Sequence, residues 1–271
     1  MEKFVNVRKL ISDKNPNLIK WLPGFLIRYV ERIIHQDDVN KFMADHKAAN
    51  SYEFCKAVME KFNVTLDITG TENVPRPPGG IIFASNHPLG GFDALAIITS
   101  LKEIRPDIKF IVNDILLSIR NLQDSFIGVN KVGKNAIASL QKVDQQFASD
   151  HATFIFPAGL VSRRERGVIM DLEWKKTFIS KAKKYKKTVV PVYIDGKLTN
   201  RFYRLANFRK ALGIKLNIEM FYLADEFYKQ QNTRMKITIG KPIPVETFDS
   251  SKSDREWAQW TKQQVYKLRG A

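Results

Sequence analysis

A short apolar run, Ile81-Ile82-Phe83-Ala84, passes through Ser85 into the turn Asn86-His87-Pro88-Leu89-Gly90-Gly91-Phe92-Asp93 and then into a second run, Ala94-Leu95-Ala96-Ile97-Ile98. A few consecutive apolar residues bounded by turn residues suit a strand covered on both faces, and such strands belong to largely parallel sheets with helices packed on them. The same alternation continues along the chain. Strands are expected at 64–70, 80–85, 108–113, 153–156, 188–194, 216–223 and 235–240, and helices at 38–61, 93–103, 134–149 and 171–186. The fold class that follows is α/β: a mixed, largely parallel sheet flanked by helices, with an N-terminal helical extension.

With 271 residues, 44% of them hydrophobic, the chain is long enough to bury a full core. It is read as an N-terminal extension over residues 1–60 and one catalytic domain over 61–271. Within the extension, residues 17–34 mix Trp21, Phe25 and Tyr29 with spaced cations, as a helix lying at a membrane interface does, and as an amphipathic helix packed on the domain also does. Pro23-Gly24 breaks any helix begun earlier. Lys and Arg outnumber Asp and Glu by 44 to 28, a net charge of +16 that calls for an anionic partner, either nucleic acid or phospholipid headgroups. No uncharged apolar run approaches the ~18 to 20 residues needed to cross a bilayer, and the N-terminus has no signal-peptide core. The protein is therefore expected in the cytosol or bound to a membrane face, the preferred placement being the cytoplasmic face, as a peripheral or monotopic component. The single cysteine, Cys55, excludes an internal disulfide and is expected to be a small buried apolar residue.

The turn at 86–93 carries the chemistry. An imidazole titrates near neutrality and takes a proton from an alcohol as a transition state forms. A carboxylate on its other ring nitrogen would fix the tautomer and stabilise the imidazolium. His87 and Asp93 have the residue types and the spacing for these roles, and Asp93 has a second explanation as a cap for the helix beginning at Ala94. His35, His46 and His151 have no metal-ligand spacing, and the chain lacks a Gly-x-Ser-x-Gly elbow, a phosphate-binding loop and a dinucleotide fingerprint. No cofactor or metal is expected.

Asn-His followed by Asp, then Phe156-Pro157-Ala158-Gly159, then Val189-Val190-Pro191-Val192, resembles the lysophospholipid acyltransferase family, nearest its bacterial hemolysin-like and aminolipid branch, over roughly residues 60 to 245. The resemblance implies an O-acyltransferase that moves a fatty acyl group from an acyl carrier protein or coenzyme A thioester, as co-substrate, to a lysolipid hydroxyl. His87 would be the general base and Asp93 its partner, with no covalent acyl-enzyme. The family usually places four residues between them, whereas here Pro88 to Phe92 are five, and Gly90 and Gly91 can absorb the extra one through positive φ. Asn86, Lys131, Gly159, Ser162, Arg163 and Arg164 are the substrate-binding candidates that the resemblance implies. Lys131 follows the segment Phe126-Ile127-Gly128-Val129-Asn130, where the family usually has Phe-Ile-x-Arg.

Two residues depart from the family block. Ala158 replaces a substrate-contacting Glu and Val161 an Arg, which takes away the usual glycerol-phosphate contacts and leaves lysophosphatidic acid and a lyso-aminolipid side by side as acceptors. Residues 189–194 are expected to be a packed parallel strand, with Pro191 at a strand end or bulge. The basic and aromatic stretch 201–215 fits a membrane-lying helix, a nucleic-acid surface or a core-packed helix with a solvated basic face. Two other functions compete. A nucleic-acid-binding protein explains the charge but leaves three ordered motifs to coincidence, and a lipid or thioester hydrolase would use the same histidine on water.

Overall fold

The computed structural model describes residues 4–14, 21–129, 136–215 and 217–270. Among these residues, in chain order, three helices come first: α1 (Val7–Lys14), α2 (Gly24–Ile33) and α3 (Gln36–Asp45). There follow α4 (Ser51–Lys61), β1 (Thr65–Thr69), β2 (Ile81–Ser85), α5 (Gly91–Leu101), β3 (Lys109–Asn113), β4 (Phe126–Val129), α6 (Ala136–Ala148) and β5 (Thr153–Ile155). The chain continues through β6 (Arg163–Glu165), β7 (Val168–Met170), α7 (Thr177–Tyr185), β8 (Thr188–Ile194), α8 (Asn200–Ala211), α9 (Leu223–Tyr228), β9 (Arg234–Ile239) and α10 (Asp254–Lys267). Two compact units result. One comprises Met1–Ala49 with Leu198–Gln231, the other Asn50–Lys197 with Asn232–Ala271. These packing units follow bounds other than the division at residue 60 read from the sequence.

The larger unit is built on a seven-stranded sheet in the order β1-β9-β8-β2-β5-β3-β4. Every neighbouring pair is parallel except β8 and β9. All five residues of β2 are buried, as its unbroken apolar run requires of a central strand. Helix α5 is buried along most of its length, which explains why its sequence shows no polar stripe. Trp174, Phe178, Val189, Trp257 and Val265 belong to a core cluster drawn from α7, β8, α10 and the segment before α7.

Several expected elements change in detail. The helix expected over 38–61 is two helices, because Asn50 starts α4 with a capping box: its side chain accepts from the Glu53 amide (3.1 Å) and the Glu53 carboxylate accepts from the Asn50 amide (3.0 Å). The helix expected from 171 begins only at Thr177. The strand expected over 216–223 is instead a short 3-10 turn, Ile218–Tyr222, leading into α9. Its apolar residues look strand-like, but Glu219 in their midst is fully buried against Arg209 at 2.9 Å, and that pairing fixes a turn. Strand β8 is parallel to β2 on one side but antiparallel to β9 on the other. Between the pairs Val192/Ile239 and Val189/Ile243 the segment that continues β9 carries one extra residue, and Pro191, which has no N–H to give, stands beside that bulge and accepts from the Gly240 amide at 2.8 Å.

In the smaller unit, α8 turns Phe202, Tyr203 and Ala206 inward and leaves Phe208 exposed, with Leu212 and Ile214 exposed just beyond it. The stretch at 201–215 is therefore a helix packed on one face and apolar on part of the other. Trp21, Phe25, Leu26 and Tyr29, from the start of the chain, are also exposed in this unit, while Ile27 is buried. Among the described residues no helix is long and apolar enough to cross a membrane.

Candidate active site

The loop after β2 is shaped by three hydrogen-bonding devices. Asn86 is buried, and its carboxamide pairs both ways with the Ile194 backbone: Nδ2 donates to the carbonyl (2.8 Å) and Oδ1 accepts from the amide (2.7 Å). This substrate-binding candidate thus behaves as an added peptide unit tying the end of β2 to the end of β8. His87 follows at once. Gly90 then adopts φ 72°, a conformation closed to most side chains, and turns the chain into α5, whose first residue is Gly91. Of the two glycines expected to absorb the extra residue, Gly90 alone takes positive φ.

The turn brings the His87 ring to the Asp93 side chain. Nδ1 lies 2.9 Å from Asp93 Oδ2, and the same oxygen accepts from the Leu89 amide at 3.0 Å. With Asp93 ionised, Oδ2 can only accept, so the proton between ring and carboxylate lies on Nδ1 and the lone pair on Nε2. Nε2 meets no hydrogen-bonding partner among the described residues. Phe156, from the end of β5, stacks on the imidazole with centroids 3.9 Å apart and planes inclined by 22°. The His87 side chain is 17% exposed and that of Asp93 0%, so the ring can be reached while its partner is sealed.

Burial pushes the Asp93 carboxyl up from its ordinary range, while the His87 hydrogen bond and charge and the Leu89 amide pull it back down. The Asp171 carboxylate nearby raises it further. Oδ1 of Asp93 is buried and has no partner among the described residues. Asp93 also sits in the first turn of α5, where the helix dipole favours a negative charge, but the helix starts at Gly91 with Gly90 as its N-cap and no side chain caps it, so the expected capping role is not seen.

The second block lies beside the first. The Ser162 amide donates to the His87 carbonyl at 2.8 Å, so residues 87 and 162 touch through their backbones. Ser162 Oγ is buried and donates to Asp171 Oδ1 at 2.6 Å. Arg163 is buried too, and its Nη1 donates to the Val161 carbonyl at 2.7 Å. Arg164 is half-buried on β6, and Gly159 takes φ 69° with the Lys175 ammonium close by, 2.8 Å from where a β-carbon would stand. Lys131 lies outside the described residues. Phe156 was legible only as part of a motif, with nothing in the sequence to say that its ring stacks on His87. Asp171 had no signal at all, being a single acid between Met170 and Leu172.

Among the described residues no group of three His, Cys, Asp or Glu could hold a metal ion. His35 stacks on Tyr228 at 3.7 Å and lies 3.2 Å from Asp225, and His46 Nδ1 lies 2.9 Å from the Phe42 carbonyl.

Residues 9–271 match a family model described as "Acyltransferase". The chain is 44% identical over 266 residues to the lyso-glycine lipid O-acyltransferase of Bacteroides thetaiotaomicron, covering 98% of this chain and 97% of that one. It is 42% identical over the same length to the protein of that name from Phocaeicola vulgatus, covering 98% and 95%. Among solved structures, the 1-acyl-sn-glycerophosphate acyltransferase PlsC of Thermotoga maritima aligns with a TM-score of 0.49 at 16% identity, over 91% of this chain and 93% of that one.

Proposed function

Because the chain belongs to the acyltransferase family and is an acyltransferase, we propose that His87 and Asp93 form its reacting centre and that the acceptor is a lysolipid of the lyso-glycine class. Nε2 of His87 takes the proton from the acceptor hydroxyl as its oxygen attacks the thioester carbonyl. The C–O bond forms, the tetrahedral oxyanion collapses, and the C–S bond breaks. The imidazolium, held by the Asp93 carboxylate, then returns the proton to the departing thiolate. No acyl-enzyme is needed. General-base help is worth ~10²- to 10⁴-fold, so juxtaposition of thioester and alcohol supplies much of the remaining acceleration.

The observation that carries this mechanism is the 2.9 Å contact between a partly exposed imidazole and a sealed carboxylate, at the end of the central strand. The acceptor class rests on likeness over nearly the whole chain to two lyso-glycine lipid acyltransferases. Ala158 and Val161, both buried, supply no charge for a glycerol-phosphate headgroup at their positions. The donor is an acyl thioester of acyl carrier protein or coenzyme A, either of which is anionic and suits a chain of net charge +16.

The same charge suits an anionic membrane surface. Trp21, Phe25, Phe208 and Phe221 are exposed in the smaller unit together with Arg28, Arg32, Arg201 and Arg204, the pairing of apolar and cationic groups that suits headgroups and the acyl boundary. We place the enzyme on the cytoplasmic face as a peripheral protein, with the N-terminal 60 residues contributing to attachment.

The test is a panel of purified enzyme with acyl carrier protein and coenzyme A thioesters against lyso-glycine lipid, lysophosphatidic acid and glycerol phosphate, with products identified by mass. Acylated glycine lipid is expected, with His87→Ala losing at least about 10²-fold in turnover while keeping its circular dichroism spectrum. Free fatty acid without acylated lipid at every acceptor would mean a hydrolase. Undiminished turnover by His87→Ala would end the mechanism.

A further inference from the structure

The strands β6 and β7 form a hairpin whose two-residue turn, Arg166-Gly167, takes φ 48° and 83°, the positive values that tight hairpins use. Ser162 immediately precedes this hairpin and Asp171 immediately follows it. Both reach the backbone of His87: the Ser162 amide donates to its carbonyl at 2.8 Å, and its own amide donates to Asp171 Oδ1 at 3.2 Å. The Ser162 hydroxyl closes the figure by donating to that same oxygen at 2.6 Å. The histidine's main chain is therefore gripped on both sides by the two residues at the base of one hairpin.

Asp171 is itself anchored. Its Oδ2 accepts from Trp174 Nε1 at 2.9 Å, its amide donates to Tyr266 Oη at 2.7 Å, and its carbonyl accepts from Lys262 Nζ at 2.5 Å. Trp174 is fully buried, and Tyr266 and Lys262 come from α10. Burial pushes the Lys262 ammonium down and the Tyr266 hydroxyl up, as expected of polar groups enclosed to hold a backbone.

We propose that Asp171 is a positioning residue for acyl transfer: its carboxylate, braced by Trp174 and α10, sets the backbone of His87 and thereby the direction of the imidazole. The inference rests on His87 being the base. It also assigns the Ser162 hydroxyl to this clamp and away from the acceptor. A carboxylate is required because both of its oxygens face donors: His87 N–H and Ser162 O–H on one, Trp174 N–H on the other. An amide of the same shape must turn its NH₂ towards one of these sets, leaving donor against donor.

The test compares Asp171→Asn, Trp174→Phe, the double variant and His87→Ala in the full-length enzyme, reading kcat, KM for both substrates and melting temperature. Asp171→Asn is expected to lower kcat by about 10- to 100-fold with both KM values within about three-fold. Trp174→Phe removes one brace while the bonds to Oδ1 remain, so it is expected to lower the melting temperature and to lower kcat by less than Asp171→Asn does, about three- to ten-fold. The double variant should regain most of the kcat lost by Asp171→Asn, because Phe presents no donor to the amide. A merely structural role would order kcat by melting temperature and give no recovery. If Asp171→Asn fails to fold, Ser162→Ala carries the test: a fall in kcat with unchanged acceptor KM supports the clamp, and a rise in acceptor KM alone overturns it. Asp171→Asn at wild-type kcat beside an inactive His87→Ala would sink the clamp and leave the base standing. An active His87→Ala would remove the premise itself.

Discussion

Replacing Asp93 with Asn isolates the charge of the pair from its shape. Oδ2 of Asp93 accepts from both His87 Nδ1 and the Leu89 amide, so an Asn at this position keeps its carbonyl oxygen there and preserves the ring tautomer. What disappears is the negative charge opposite the imidazolium formed during proton transfer. At the observed separation of 2.9 Å and an effective dielectric of about 20, that interaction amounts to roughly 6 kcal/mol. The retained hydrogen bond recovers part of it, leaving a loss of about 10³- to 10⁴-fold in kcat at about 1.4 kcal/mol per factor of ten. Stability should move the other way. Burial raises the Asp93 carboxyl, so the folded state holds its proton to higher pH than the unfolded chain and loses stability as pH rises through that interval. Removing the ionisable group removes this cost, and Asp93→Asn should melt no lower than wild type at pH 7. The assay is acyl transfer at saturating substrates alongside calorimetry. A variant within ten-fold of wild-type kcat would refute the electrostatic role of Asp93, and a collapse in melting temperature would show the carboxylate to be structural instead.

Other perturbations test the frame around the site. Arg105 is fully buried and bonds Asp107 in a bidentate manner at 2.8 and 2.6 Å; burial alone would raise the Asp107 carboxyl, but Arg105 and the Ala152 amide outweigh it and hold it below its usual range. Its stabilisation is thus complete above the ordinary Asp value of ~3.9 and fades as pH falls through the lower folded value, so Asp107→Asn should cost about 3 kcal/mol at pH 7 and flatten the acid limb of the stability curve in denaturant titrations. Gly70 has φ 79°, and a β-carbon there would stand 2.0 Å from the Ile239 carbonyl oxygen; Gly70→Ala should cost more than about 2 kcal/mol, and an unchanged unfolding midpoint would contradict the packing of β1 on β9. Trp21 and Phe25 are 85% and 67% exposed, and replacing both with Ala should weaken sedimentation with anionic vesicles by more than ten-fold, at about 1.5 to 3 kcal/mol per large side chain, leaving turnover on detergent-dispersed acceptor intact. Vesicle binding that survives the double change would move the membrane surface elsewhere.

Much of the catalytic unit can be read without coordinates, because the elements concerned are specified locally. Strand β2 and helix α5 are apolar runs separated by turn residues, and no distant contact is needed to say that Ile81–Ser85 extends and Gly91–Leu101 coils. The capping box at Asn50 is equally local, an Asn with Glu three residues on inside a longer helical pattern. The 3-10 turn at 218–222 could not be read so, since its conformation follows from the burial of Glu219 against Arg209, ten residues earlier in the chain.

The same distinction runs through the site. For the proposed site, residue type and spacing supplied the candidates to accept and orient a proton: one imidazole, one carboxylate and a glycine able to take φ 72° between them. What each remaining polar side chain does was decided by the partner that packing brings to it. Asn86 meets the backbone of Ile194, Ser162 meets Asp171, and Asp171 meets Trp174, Tyr266 and Lys262. A polar group enclosed in protein must find a complementary donor or acceptor, and which one it finds depends on how strands and helices stack in space. Local sequence governs backbone propensity and chemical type, while tertiary packing governs who faces whom.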